Sequence, residues 1–177
     1  MVNHVYTNDC GPYNASVTVS DGHASTNSRL TVVIACQMQI TKMQAKMNFR
    51  KLSADTCSFT ADITLPDGFT PAGKSVTLDI GSVQLPFTLD AKNKAVTTHG
   101  SCTFKFNKKT SDWTITAKLT RTDFQDAWVA DGFVNAPVTK PGNPVSLSVT
   151  ILVGNEAFAG TKSLSYTAKE GQSGNAK

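Results

Sequence analysis

The chain has little charge: Asp, Glu, Lys and Arg make up only 17% of its 177 residues. Lys and Arg exceed Asp and Glu by four, a mild and scattered excess. The basic pairs Arg50-Lys51 and Lys108-Lys109 sit in turn-like stretches and read as solvated turns, so nucleic acid is not an expected partner. No apolar run approaches the roughly 18 residues a membrane helix needs, which excludes insertion by a helix. The opening MVNHVYTNDC has no basic start and no apolar core, so it is not a signal peptide. Met1 is then an introduced start or the start of a piece of a larger precursor. Histidine is scarce: His4, His23 and His99 are the only three. Without G-x-S-x-G or a histidine placed beside a nucleophile and an acid, no hydrolase triad is legible. The reading is non-catalytic, with no catalytic residue and no cofactor.

The four cysteines, Cys10, Cys36, Cys57 and Cys102, form no C-x-x-C and give no zinc or redox motif. Four cysteines allow three pairings. Cys10–Cys36 and Cys57–Cys102 are favoured, as each joins β segments expected to lie close, with four buried free thiols as the alternative. Two disulfides place the chain in an oxidising compartment. Metal ligation finds no motif either. Asp21, Ser25 and Asn27 lack calcium-loop spacing, and Asp123, Asp126 and Asp131 would fan out around a helix. Asn14-Ala15-Ser16 matches a glycosylation acceptor by coincidence.

What the sequence does have is alternation. Thr, Ser, Val and Ala dominate and long helix-forming runs are absent, which favours strands with polar outer faces. ASVTVS and RLTVVIA read as strands around the turn cluster DGHASTNS, and Asp21-Gly22 between them signals a hairpin with a connection longer than two residues. Val17, Val19, Leu30, Val32 and Ile34 are the residues of these strands expected to carry an intermolecular contact. Farther along, FRKLSAD (Phe49–Asp55) matches FNKKTSD (Phe106–Asp112), and FTADI (Phe59–Ile63) matches ITAKL (Ile115–Leu119). VTLDIG (Val76–Gly81) matches VTILVG (Val149–Gly154), and Ala91-Lys92 matches Ala168-Lys169. Four matches in one order indicate a duplication, with repeats at about 43–98 and 100–170. Each repeat reads as two hairpins. Their apolar arms (Val76, Leu78, Ile80 with Leu85, Phe87, Leu89; Leu147, Val149, Ile151, Val153 with Phe158, Leu164, Tyr166) pool into a two-sheet core of about eight strands.

The segment RTDFQDAWVADGF predicts one short helix near 123–131. Thr122 or Asp123 would cap it, Gly132 would end it, and Phe124 and Trp128 would point inward. The sharper alternative makes Phe124, Trp128 and Phe133 a ligand-stacking platform. The expected fold is all-β: an immunoglobulin-like antiparallel sandwich from a duplicated two-hairpin repeat (38–177), preceded by residues 1–37.

Residues 2–36 resemble the end of a polycystic kidney disease (PKD) domain. The likeness lies in His4-Val5-Tyr6, Gly11-Pro12-Tyr13, Val17-Thr18-Val19-Ser20-Asp21 and Leu30-Thr31-Val32-Val33. It implies the last strands of an immunoglobulin-like sandwich whose upstream half has no counterpart here, with His4 structural. The turn NKKTSDW and the ending SYTAKEGQSGNAK resemble uncharacterised C-terminal modules of large secreted bacterial proteins. That likeness implies a bacterial, extracellular or cell-surface setting and a natural C-terminus at Lys177. The expected function is a structural or adhesive module, a fibre or matrix subunit assembling by β-strand addition. Its partners would be other copies of itself or neighbouring domains of a longer protein. The alternative is a carbohydrate- or protein-binding accessory module of a secreted enzyme.

Overall fold

The computed structural model describes residues 10–177. His4, Val5 and Tyr6 lie outside the described residues. The chain begins with a long hairpin, β1 (Gly11–Ser20) and β2 (Ser25–Ile34), which forms a two-stranded sheet of its own. The rest is a body of eleven strands and one helical turn. The first half holds β3 (Cys36–Gln37), β4 (Gln39–Asn48), β5 (Asp55–Ile63), β6 (Ser75–Ile80), β7 (Val83–Thr88) and β8 (Lys94–Thr97). The second holds β9 (Gly100–Asn107), β10 (Asp112–Thr122), α1 (Gln125–Trp128), β11 (Val138–Val153), β12 (Glu156–Lys169) and β13 (Ser173–Ala176).

Strand alternation sets the layers. Val76, Leu78 and Ile80 of β6 meet Leu147, Val149, Ile151 and Val153 of β11 on one inner face. Met43, Ala45 and Met47 of β4, Cys57, Phe59 and Ala61 of β5 and Ile115, Ala117 and Leu119 of β10 form the other. All belong to one apolar core. The hydrogen-bonded order is β7-β6-β11-β12-β13-β4-β5-β10-β9-β8, with β3 pairing in parallel to β12. The fold is an all-β sandwich of antiparallel layers. β13 bridges the layers on one side by pairing with both β12 and β4. On the other side β7 and β8 lie next to each other without a ladder, and Pro86 in β7 lacks the N–H that would extend that edge.

The matched sequence segments occupy equivalent places. The two Phe-x-Lys turns join β4 to β5 and β9 to β10, and the two Gly turns join β6 to β7 and β11 to β12. The central strand pairs are like with like. β5 pairs with β10 so that Thr60 faces Thr116, its counterpart, and β6 pairs with β11 so that Leu78 faces Ile151, its counterpart. Gly81 N–H donates to Ser148 O at 2.9 Å, and its counterpart Gly154 N–H donates to Ser75 O at 3.1 Å. A pseudo-two-fold axis therefore runs between the central pairs, exchanging β4–β8 with β9–β13. The fifth strand of each half leaves home: β8 pairs with β9 and β13 pairs with β4.

The predicted helix is present but short, and its cap differs from expectation. Phe124 is the N-cap and makes no side-chain capping bond. Its N–H instead donates to Asp55 Oδ2 at 2.9 Å, 69 residues away in sequence. Neither Thr122 nor Asp123 caps the helix, because the buried carboxylate of Asp55 already takes the free donor.

Candidate functional site

The feature that the sandwich does not absorb is the N-terminal hairpin. Its register pairs Tyr13 with Val32, Val17 with Ser28 and Val19 with Thr26. Side chains alternate across a strand, so Tyr13, Val17, Val19, Leu30, Val32 and Ile34 fall on one face. All five residues singled out as assembly candidates thus share one side of one element. Val17 and Val19 are each 62% exposed and Leu30 is 65% exposed. Val32 and Ile34, nearer the body, are half-buried. The opposite face is polar apart from Val33, which is 41% exposed, and there Asn27 Nδ2 donates to Thr18 Oγ1 at 3.2 Å. At about 3.3 Å per residue, ten-residue strands make an arm on the order of 30 Å long.

Both ends of the arm are fixed. At the root, Cys10 and Cys36 form a disulfide, as favoured from sequence. At the tip, Asp21 Oδ1 accepts N–H bonds from Ala24 at 2.7 Å and His23 at 2.9 Å. These two bonds, that from Ala24 first, hold the Asp21 carboxyl below the usual carboxylate range. Asp21 is committed to its own turn, and Asn27 to Thr18.

Two expectations need correction. Cys57 and Cys102 are both buried and free. They sit on β5 and β9, which flank β10, opposite Leu119 and Ala117 respectively. Two strand spacings, about 9.6 Å, exceed the reach of a disulfide. Desolvation pushes both thiols up to about 12, which leaves them unreactive.

The aromatic platform is also internal: Phe124, Trp128 and Phe133 are at most 1% exposed. Phe124 stacks on Trp128 at 4.0 Å, Trp128 tilts against Phe133 at 5.2 Å, and Phe133 tilts against Tyr166 at 5.1 Å. The indole Nε1–H donates to Ile80 O at 2.9 Å, and Tyr166 Oη–H donates to Val134 O at 2.8 Å. Their apolar mass closes one end of the sandwich, so these rings are core and not a ligand platform.

β1 and β2 pair with each other as the hairpin that Asp21-Gly22 signals. Each still has an outer edge with no ladder among the described residues.

Elsewhere chemistry is sparse. Asp55 is fully buried and accepts the N–H of Asn48 at 2.7 Å as well as that of Phe124. Burial raises its carboxyl above the usual range, and the two donors oppose that rise. Its role is to tie the β4–β5 turn to the helix. His99 lies in the β8–β9 turn, its Nδ1 3.1 Å from Arg121 O. Among the described residues no three His, Cys, Asp or Glu side chains gather to hold a metal, and no helix is long and apolar enough to cross a membrane. Comparison with protein-family models, curated proteins and solved structures finds no match to this chain, and so nothing that identifies residues 2–36 as PKD-like.

Proposed function

We propose that this chain is a non-catalytic structural module of an extracellular or cell-surface assembly, joined to a neighbouring copy through its N-terminal arm. One observation carries the reading: an amphipathic hairpin, stapled at its root by Cys10–Cys36, holds Val17, Val19 and Leu30 in solvent on a single face. Apolar side chains gathered on one exposed face mark an interaction surface rather than a solvated loop. The outer edge of β2 adds a second means of attachment. It presents ten residues without proline, against which a neighbour's strand edge can pair. Docking of the arm on the next copy would repeat head to tail and give a linear assembly. The disulfide supports an oxidising setting.

The test is the molar mass of the full chain by light scattering over a range of concentrations, with negative-stain imaging. The wild type should form dimers or linear multimers. The triple variant Val17→Ser, Val19→Ser, Leu30→Ser should be monomeric with an unchanged melting curve for the body. A wild-type monomer at every concentration, or an assembling triple variant, overturns the reading.

A further inference from the structure

The two outer faces of the sandwich differ in charge. Outward positions along the middle of β6, β7, β11 and β12 are hydroxyl-rich: Thr77, Ser146, Ser148, Thr150, Thr161 and Ser163, with Asp79 the acid among them and Lys140 and Lys169 only toward the strand ends. Ser146 meets Ser163, and Ser148 meets Thr161, each at 3.3 Å. On the other layer, register places Lys42 beside Thr60, Lys46 beside Thr56, Lys118 between Ser58 and Ser101, and Lys105 beside Thr114. The acids on this face, Asp62 and Asp112, lie at the end of the rows, where Asp62 accepts from Thr114 Oγ1 at 2.8 Å and Asp112 from Thr64 Oγ1 at 2.7 Å. Two shallow depressions adjoin here and share Gln44, Ser58 and Lys118. Lys46 and Lys177 border one and Lys42 borders the other.

We infer that the outer face of β4–β5–β10 is a binding site for a linear acidic polysaccharide, a polyhydroxylated chain carrying sulfate or carboxylate groups. The geometry supplies both halves of that recognition. Lys42 and Lys46 lie four residues apart on one strand, about 13 Å, and Lys118 lies two strands away, about 10 Å. Between them sit short hydroxyl and amide side chains, Thr56, Ser58, Thr60 and Gln44, which donate to and accept from sugar hydroxyls. A nucleic acid fits less well: the face has neither an aromatic ring on which bases stack nor an arginine fork for phosphate. A lipid surface is disfavoured because no large apolar side chain projects among the lysines. This inference is independent of the arm.

The test is calorimetric titration of the full chain, in the Val17→Ser, Val19→Ser, Leu30→Ser background so that avidity from assembly plays no part. The probes are dextran sulfate, polygalacturonate, neutral dextran and duplex DNA. Binding to either acidic polysaccharide, none to neutral dextran, and loss on raising salt are expected. The variant Lys42→Gln, Lys46→Gln, Lys118→Gln should bind about tenfold more weakly. A control with the same change in net charge, Lys92→Gln, Lys108→Gln, Lys109→Gln, should bind nearly as the parent does. Equal losses in the two variants would reduce the effect to net charge and overturn the site. So would tighter binding to DNA, or no binding to either acidic chain. The altered lysines are exposed, and unchanged melting curves separate lost binding from lost fold.

Discussion

At the scale of single residues, the chemistry of this chain is buried and structural. Asp55 is the clearest case. A fully buried carboxylate is costly, and it persists because it satisfies the N–H groups of Asn48 and Phe124. Asp55→Ala should destabilise the chain by about 3 kcal/mol, the cost of two orphaned donors, as read by denaturant unfolding. The pH dependence gives a sharper check. The carboxyl is raised from 3.8, chiefly by desolvation, so the folded chain holds this proton more tightly than the unfolded chain does. Its contribution to stability therefore falls as pH climbs from the unfolded value through the folded one. Asp55→Asn does not titrate. The gap in unfolding free energy between wild type and Asp55→Asn should be widest at acid pH, below the ordinary carboxyl value, and should narrow as pH rises through the raised folded value. A gap that widens with pH would show that the two N–H bonds outweigh desolvation.

At the scale of elements, equivalent turns have acquired different neighbours. Gly81 and Gly154 occupy matching positions, with φ of 53° and 60°. A Cβ on Gly81 would meet the Trp128 indole at 2.5 Å, whereas one on Gly154 would meet nothing nearer than 3.7 Å. Gly154→Ala should cost about 1 kcal/mol from backbone strain alone, and Gly81→Ala about 3 kcal/mol, since the indole must also move. Melting curves of the two variants measure the difference. Equal losses would mean that the aromatic cluster yields freely.

The same pair of turns shows what was legible in the sequence. Glycine turns, Phe-x-Lys turns and strand alternation are local signals, so β5, β6, β10 and β11 and their inner faces could be read. Phe124 and Trp128 were placed inward by their helical spacing, while Phe133 needed its tilted contacts with Trp128 and Tyr166 to be seen as core. What could not be read depends on distant partners. The helix cap comes from Asp55, and Cys57 and Cys102 are held apart by an intervening strand that no spacing reveals. The candidate arm was legible as five apolar residues, but their common face follows from the Tyr13–Val32 register, which needed the turn to be resolved to Asp21–Ala24. The lysine face went unread because its members come from strands distant in sequence.

At the scale of the whole molecule, the pseudo-two-fold arrangement interlocks its halves. Each layer is centred on a pair of counterpart strands, and each half lends its fifth strand to the other. Neither half can therefore bury its inner faces alone, and the body should unfold as one cooperative unit while the arm stands outside it. The strand β13 makes this testable. It belongs to the second repeat, yet it pairs with Met47 and Ala45 of β4 in the first, and Gly174 lies against the Tyr166 ring. Ending the chain after Lys169 removes a strand from both β12 and β4. In hydrogen exchange, a chain of two independent repeats would lose protection in β9–β12 alone. An interlocked body should lose it in β4 and β5 as well, to the same extent and at the same denaturant concentration. Retained protection in β4–β7 would show that the halves fold separately. Uniform loss would mean that the lent strands join them into one unit.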